Sequence, residues 1–260
     1  MSKYYIGIDI GSTCAKTVIL GKDERVLLRL LQPTGWSSVD TAEAIRRQLA
    51  EEGFPIEEGT VAATGYGRVS VPYADKRVTE ITCHGKGACW VYGAADLTVI
   101  DIGGQDTKII QVQKGAVADF LMNDKCSAGT GRFLEIMANT LAVRPEELCR
   151  LAARGGGASI SSMCTVFAES EVISLIGRGE KRENIAFAVV DSIVKKVASQ
   201  AGRLCQGSAA LCLTGGLCEY PYLRQSLSQA LGHPVQTAAD GRYAGALGAA
   251  LSARAMESPS

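Results

Sequence analysis

The sequence has 260 residues, enough for one large domain or two small ones with their own cores. Its 47% hydrophobic and 21% charged residues are typical of a soluble globular protein, and no apolar run is long enough to span a bilayer. Lys+Arg and Asp+Glu are equal at 27 each, so no long-range field would recruit nucleic acid or an anionic membrane. With no signal-peptide pattern before the first strand, we expect a cytoplasmic protein.

The N-terminal segment predicts a hairpin with a phosphate-facing turn. Residues 8–16 read IDIGSTCAK, a strand followed by a glycine turn and a second, β-branched strand. A glycine lets backbone N–H groups approach a phosphate without a Cβ in the way. Asp9, at the strand end, is placed to hold water around a magnesium ion that bridges phosphates.

Alternating strands and helices are predicted over the next eighty residues. Val26 to Leu31 favours a strand, and residues 42–51 favour an amphipathic helix. Residues 61–64 predict a short strand that ends in a glycine turn at 65–67, a place where α/β sheets often bind ligands. A helix is expected from about Glu80 to Tyr92 and carries His84, and a lone histidine there is more often a core residue than a catalyst.

A second copy of the hairpin pattern follows. Residues 97–108 read LTVIDIGGQDTK, in which Asp101 and Lys108 stand where Asp9 and Lys16 stand in the first copy. This echo suggests a duplicated α/β unit with two phosphate-facing hairpins that approach one nucleotide from opposite sides. The alternative is a pair of ordinary Asp-Gly hairpins, which are common turns.

The remaining sequence predicts mainly helices. The glycine-rich start of a helix that runs to about Leu141 is a ready anion site, which includes Gly129, Thr130 and Gly131. Pro145 starts a short helix, and residues 210–213 form a buried strand that ends in a turn at 214–216. Further helices are predicted over residues 161–176, 184–200, 223–231 and 241–254.

Nine cysteines is an unusual number for such a chain. The count is odd, the spacings are irregular and no secretory signal is present, so a disulfide framework is not expected. Cys149, Cys205 and Cys212 lie in apolar segments and are interpreted as buried hydrophobic residues.

The three glycine turns together resemble the actin, Hsp70 and sugar-kinase ATPase superfamily. The resemblance implies an α/β fold of two ribonuclease-H-like subdomains, 1–95 and 96–260, with the nucleotide in the cleft between them. By the same resemblance Asp9 and Asp101 would hold Mg²⁺ through water, and Gln105 is the candidate to orient the attacking water, with Asp106 as its competitor. The predicted nucleotide-binding residues are Gly11, Ser12, Thr13, Cys14, Lys16, Gly103, Gly104, Gln105, Gly129, Thr130, Gly131, Thr214, Gly215 and Gly216.

Two cysteine motifs narrow the resemblance. Residues 123–133 (NDKCSAGTGRF) and 161–171 (SSMCTVFAESE) are similar to the two cluster motifs of the 2-hydroxyacyl-CoA dehydratase activators. Residues 63–68 (ATGYGR) and 83–84 (CH) also resemble that family, and the similarity extends over almost the whole chain. The helices expected to bind the cluster lie at about 123–178.

The cysteine chemistry fits this family. A [4Fe-4S] cluster needs four thiolates, whereas one chain offers Cys126 and Cys164 at predicted helix starts and no C-x-x-C. Two chains related by a two-fold axis would supply four ligands, and a helix N-terminus stabilises thiolates. The alternative is a pair of buried structural cysteines.

The resemblance therefore implies a homodimeric, magnesium-dependent ATPase that donates one electron to a 2-hydroxyacyl-CoA dehydratase. One [4Fe-4S] cluster per homodimer, ATP or ADP, and ferredoxin or flavodoxin as the reductant are the cofactors and partner it implies. Neither the acyl-CoA nor the reductant can be read from this sequence. Two other functions stay open: a small-molecule kinase of the pantothenate or amino-sugar type, with Asp106 or Asp124 as base, and a non-catalytic nucleotide-gated assembly protein without iron.

Overall fold

The computed structural model describes residues 2–161, 164–205 and 207–257. Ser162 and Met163, which belong to the second cysteine motif, lie outside the described residues. The described part contains two five-stranded sheets with helices, as expected for an α/β protein. No helix in this part is both long and apolar enough to cross a membrane.

The first sheet has the strand order β3-β2-β1-β4-β5. β1 is antiparallel to β2 and parallel to β4, so the N-terminal hairpin is extended by a crossover strand. The strands are β1 (Tyr4–Ile10), β2 (Cys14–Gly21), β3 (Val26–Pro33), β4 (Gly59–Thr64) and β5 (Lys76–Arg77).

The second sheet has the order β10-β9-β6-β7-β8. β9 is parallel to both β6 and β10. β8 lies at an edge and is largely exposed, including Phe120, Leu121 and Met122. The strands are β6 (Leu97–Ile102), β7 (Thr107–Gln113), β8 (Ala116–Asn123), β9 (Leu211–Gly215) and β10 (Val235–Gln236).

The predicted helices are present at bounds close to those expected. Their starts have the usual chemical causes: the Ser37 and Thr79 side chains cap the first two helices, and Pro145 and Pro221 occupy first helical turns. The described helices are α1 (Ser38–Glu51), α2 (Glu80–Tyr92), α3 (Gly131–Thr140), α4 (Pro145–Ala152), α5 (Thr165–Gly177), α6 (Arg182–Cys205), α7 (Pro221–Leu231) and α8 (Ala244–Arg254).

The chain divides into two compact units. The first comprises Met1–Leu97, Val112–Ala118 and Asp240–Ser260, and the second Thr98–Gln111 and Asp119–Ala239. The C-terminal helix α8, which the sequence analysis assigned to the second subdomain, lies in the first unit. The subdomain boundary at 95/96 stays a prediction.

The core of the first unit depends on close backbone contact between α2 and α8. A Cβ on Gly87 would lie 1.8 Å from the carbonyl oxygen of Ala244, and one on Gly248 would lie 1.8 Å from that of Cys83. Glycine is therefore required at both positions. The small residues of α8 therefore let α2 pack close.

The second unit buries an aliphatic core beneath α3, α4, α6 and α7. Phe133 and Met137 of α3 are fully buried there, together with Val189 and Ile193 of α6. The α6 positions are four residues apart and so lie on one face of the helix.

Candidate functional site: two aspartate turns and two cysteine segments

Two turns are predicted to face phosphate, and we call them the first and second phosphate turns. The first joins β1 to β2. The N–H of Gly11 donates to the carbonyl oxygen of Cys14 at 3.1 Å, which closes a tight turn. Asp9 is the last residue but one of β1, is buried at 4% exposure, and pairs across the hairpin with Lys16. Lys16 is partly exposed, and no ion pair of Lys16 is found in the part of the chain that the structure describes.

The second phosphate turn repeats this backbone between β6 and β7. The N–H of Gly103 donates to the carbonyl oxygen of Asp106 at 2.9 Å, in the same register as the first turn. Asp101, only 1% exposed, is the last residue but one of β6, as Asp9 is of β1. Two turns with the same aspartate, glycine and lysine positions are what the sequence echo predicted.

The charges around Asp101 differ from those around Asp9. Lys108 is buried, and its Nζ lies 2.7 Å from Oδ2 of Asp106 and 3.4 Å from Oδ2 of Asp101. The hydroxyl of Thr214 donates to Oδ1 of Asp101 at 2.7 Å. Lys108 is thus held between two carboxylates, and Asp101 is held by two side chains.

The strand next to each aspartate ends in a Thr-Gly pair. Asp9 pairs with Thr64 of β4, and Asp101 pairs with Thr214 of β9. The glycines that follow have φ angles of +86° and +83°, a backbone conformation that favours glycine. The predicted turn at 214–216 therefore has a counterpart at 64–66 in the first unit.

Asp9 lies between two glycines. A Cβ on Gly65 would lie 2.5 Å from its Oδ1, and one on Gly245 would lie 2.5 Å from its Oδ2. The same Cβ on Gly245 would lie 2.9 Å from Nε2 of His84, so the buried histidine and the carboxylate both face this bare backbone position. His84 was predicted to be a core residue. It is buried and also lies near Asp9.

The residues of the two turns differ in exposure. Gln105 is exposed, while Ser12, Thr13 and Cys14 are partly exposed. Asp106 is engaged with Lys108, which leaves Gln105 as the accessible one of the two candidates for orienting water. Gly216 begins a short 3₁₀ turn after β9.

The segment at residues 129–131 braces the second turn. The N–H groups of Gly131 and Arg132 donate to the carbonyl oxygens of Gly103 and Gly104 at 2.9 and 2.8 Å. Two N–H groups at the start of α3 are therefore directed at the turn itself. An anion site at this helix start, as predicted, would have to use other groups.

The two cysteine segments are held together within one chain. The hydroxyls of Ser127 and Thr165, the residues that follow Cys126 and Cys164, share a hydrogen bond of 2.7 Å. The side chain of Asn123 donates to the carbonyl oxygen of Cys126 at 2.9 Å and fixes the first segment further. The sequence could not show this contact, because the two segments are far apart in the chain.

The expectation that both cysteines lie at helix N-termini is right for one of them. Cys164 is exposed and is the N-cap residue of α5. Cys126 instead lies in the loop before α3, which begins only at Gly131. The cause is a turn closed by Thr130, whose N–H and hydroxyl both donate to the carbonyl oxygen of Ser127.

The two cysteine segments contain half the number of thiols that a [4Fe-4S] cluster needs. Among the described residues, no group of three or more His, Cys, Asp or Glu side chains is placed to hold a metal ion. One chain thus supplies two thiols on adjoining segments, Cys126 partly exposed and Cys164 exposed. A second chain would have to supply the other two thiolates of a [4Fe-4S] cluster.

Burial raises the pKa of two thiols that were predicted to be buried hydrophobic residues. Burial raises the pKa of the Cys149 thiol to about 12 and that of the Cys205 thiol to about 11. In the first unit, burial raises the pKa of Cys83 to about 12. These thiols stay protonated at neutral pH and make poor nucleophiles or ligands.

Residues 6–253 match the BadF/BadG/BcrA/BcrD ATPase family. The chain belongs to this family, and the resemblance on which the sequence analysis relied is thereby confirmed. ATP or ADP binding follows from membership of an ATPase family.

Particular relatives narrow the comparison. The chain is 41% identical over 255 residues to the (R)-2-hydroxyglutaryl-CoA dehydratase activating ATPase of Acidaminococcus fermentans, covering 96% of this chain and 97% of that protein. It is 39% identical to the activator of lactoyl-CoA dehydratase of Anaerotignum propionicum, covering 95% and 96%. These relatives are named as activators of 2-hydroxyacyl-CoA dehydratases.

Solved structures confirm the fold. The activator of the 2-hydroxyisocaproyl-CoA dehydratase from Clostridium difficile, solved with bound ADPNP, matches with a TM-score of 0.90 and 35% identity over 97% of this chain and 95% of that one. A ROK family glucokinase from Streptomyces griseus matches with a TM-score of 0.64 at 16% identity, covering 97% of this chain and 99% of that one. The second likeness shows the shared sugar-kinase type of fold alone.

Proposed function

We propose that this chain is an ATP-dependent one-electron donor that activates a 2-hydroxyacyl-CoA dehydratase. Membership of the ATPase family and the activator relatives support the ATPase and its partner class. The observation that carries the electron-transfer part is the Ser127–Thr165 hydrogen bond, because it holds two thiol-bearing segments side by side.

In this proposal Cys126 and Cys164 of two chains bind one [4Fe-4S] cluster, which supplies a single low-potential electron when bound. The exposed apolar side chains beside these cysteines support a second copy as the cover. They include Val166, Phe167 and Ile173 on α5, and exposed apolar surface of this kind commonly marks an interface. The resulting homodimer receives electrons from ferredoxin or flavodoxin.

The nucleotide part of the proposal assigns roles to the two turns. Asp9 and Asp101 hold Mg²⁺ through water, the glycine turns contact phosphates with their N–H groups, and Gln105 orients the attacking water. A kinase reading has less support, because Asp106, one of its two candidate bases, is ion-paired with Lys108.

Oxygen-free purification tests the cluster. The wild-type chain is expected to be a brown dimer with about four irons per two chains. Cys126→Ser and Cys164→Ser should each abolish the colour, while Cys89→Ser, a change to a half-buried residue of α2, should keep it. Monomeric, colourless protein that splits ATP normally would contradict the proposal, and transfer of labelled phosphate to a metabolite would favour the kinase.

A matched pair of aspartate variants tests the nucleotide site separately. Asp101→Asn should keep the iron content and lose most ATP turnover, because the carboxylate that holds the magnesium shell is gone. Asp23→Asn, on an exposed turn of the first unit, should keep both. Unchanged turnover in Asp101→Asn would reject the magnesium role.

A further inference from the structure

Hydrogen bonds within the second unit lead from the phosphate turn towards the cysteine segments. The first link is made by α3, whose N–H groups at Gly131 and Arg132 donate to the carbonyl oxygens of Gly103 and Gly104. A ligand that moves this turn therefore also moves the start of α3, or breaks these bonds.

The next links pass through the loop before α3. The hydroxyl of Thr107, just after the turn, donates to the carbonyl oxygen of Gly129 at 3.0 Å. Thr130 donates from its hydroxyl to the carbonyl oxygen of Ser127. Ser127 in turn shares its hydroxyl hydrogen bond with Thr165. The loop is thus bonded at one end to the turn and at the other to α5.

The last link reaches the thiol-bearing backbone. Thr165 is the first residue of α5, and the carbonyl oxygen of its neighbour Cys164 accepts the first helical hydrogen bond, from Ala168 at 2.9 Å. A displacement of Thr165 consequently displaces Cys164, which is part of the same helix start. Ser127 is likewise bonded covalently to Cys126.

We propose that Ser127 and Thr165 are positioning residues, and that their shared hydrogen bond transmits the nucleotide state of the Gly103–Gly104 turn to Cys164. The inference rests on the proposed function, because it names the element that couples nucleotide to the thiols. Neither hydroxyl is proposed to contact the phosphate or a thiol. Each acts through the backbone position of the adjacent cysteine, as outer partners orient the ligands of a metal site.

A merely structural role is the competing interpretation. In that case loss of the hydrogen bond would lower the stability of the second unit and leave any response to nucleotide intact. The two interpretations differ in the nucleotide dependence of Cys164, so this dependence is the quantity to measure.

Peptide-resolved alkylation of Cys164 in the cluster-free full-length chain supplies the test. The rate is measured with ADP and with a non-hydrolysable ATP analogue, and the ratio of the two rates reports the coupling. In the wild type we expect a ratio that differs from one by about 2- to 10-fold, the range that one hydrogen bond can supply. Ser127→Ala and Thr165→Val should both bring the ratio close to one.

Three further variants make the test specific. Thr165→Ser keeps a hydroxyl and should restore the wild-type ratio. Ser170→Ala removes another hydroxyl of α5, which among the described residues bonds within the helix to the carbonyl oxygen of Val166, and should not change the ratio. The double variant of Ser127→Ala with Thr165→Val should be no more affected than either single variant, since both remove one bond.

The outcomes separate this inference from the proposed function. A wild-type ratio of one, or a full ratio in Ser127→Ala and Thr165→Val, would overturn the inference even if the dimer binds four irons. A ratio that depends on both hydroxyls would support it. If the same chain, purified without oxygen, contained no iron, only the electron-transfer proposal would be contradicted.

Discussion

The two phosphate turns share a backbone and differ in how their charges are balanced. In both, an aspartate is the last residue but one of a buried strand, the N–H of the glycine after the strand donates to the carbonyl oxygen three residues further on, and a lysine follows on the next strand. In the second turn Lys108 is buried between Asp101 and Asp106. In the first, Lys16 is partly exposed, and Cys14 stands where the second turn has Asp106.

Because of this difference, Lys108 has a structural place between two carboxylates, whereas Lys16 is able to bind a ligand. Lys108 already has two carboxylate partners, so its charge is neutralised before any nucleotide arrives. Lys16 forms no ion pair within the described residues and can meet an incoming phosphate. The same sequence register therefore holds two lysines in different electrostatic surroundings, and the residue three positions after the glycine, Cys14 or Asp106, is one place where the two turns differ in charge.

The largest difference between the two turns should appear in the free energy of unfolding when each lysine is replaced in turn. Lys108→Met leaves two carboxylates without their common counter-ion in a buried site, so we expect it to lower the free energy of unfolding by about 3–5 kcal/mol. Lys16→Met should change that free energy by less than about 0.5 kcal/mol, as for ordinary surface substitutions. Urea unfolding measures both, and equal losses would show that the two lysines are equivalent.

The next largest difference in unfolding free energy is expected for the threonines beside the two aspartates. Thr214→Val removes the hydroxyl that donates to buried Oδ1 of Asp101, which should cost about 1.5–3 kcal/mol of unfolding free energy. Within the described residues, the buried hydroxyl of Thr64 makes no hydrogen bond to a nitrogen or oxygen atom, and its interaction with the Cys83 thiol is too weak in geometry to satisfy it. Thr64→Val should therefore be nearly neutral, and a comparable loss in the two variants would mean that Asp9 is supported as Asp101 is.

The backbone of the two turns could be predicted from the sequence, but the arrangement of the charged side chains around them could not. Repetition of Ile-Asp-Ile-Gly fixed the turns because strand and glycine preferences act over a few residues. Whether Lys108 meets Asp101 and Asp106 depends on side-chain directions that a linear pattern does not contain. The sequence alignment of the two copies showed that each contains a lysine. The one sign that the surroundings of the two lysines differ was the acidic residue at position 106.

Contacts between distant segments were also beyond the sequence. Gly245 faces Asp9 because α8 returns to the first unit from the far end of the chain. Ser127 meets Thr165 for a similar reason. The position of Cys126 was wrong because a glycine-rich stretch was taken as a helix start, whereas a turn closed by Thr130 comes first.

Gly245 offers a way to disturb the first aspartate alone. Its replacement by alanine places a methyl carbon against Oδ2 of Asp9 and Nε2 of His84, so one of these side chains has to move. Since small displacements of positioning groups can cost large factors in rate, we expect Gly245→Ala to lower ATP turnover about 10-fold. Gly202→Ala, in α6 with no atom within 4 Å of the added carbon, should leave turnover unchanged.

Steady-state ATP hydrolysis, with unfolding curves for both glycine variants, separates the effect on the site from an effect on the fold. Full turnover by a stable Gly245→Ala chain would show that the position of Asp9 is not critical.

The smallest expected effect comes from giving the first turn the acid of the second. Cys14→Asp places a carboxylate at the position that corresponds to Asp106, two residues before Lys16, on the same face of the strand. The lysine should then be partly neutralised, and the KM for ATP should rise about 3- to 5-fold, the range of a partly exposed ion pair. Cys14→Asn separates loss of the thiol from gain of the charge and should raise the KM less. Because salt screens a partly exposed pair, the gap between the two variants should narrow at high ionic strength. A gap that is absent, or that does not respond to salt, would mean that Lys16 contributes no charge to nucleotide binding.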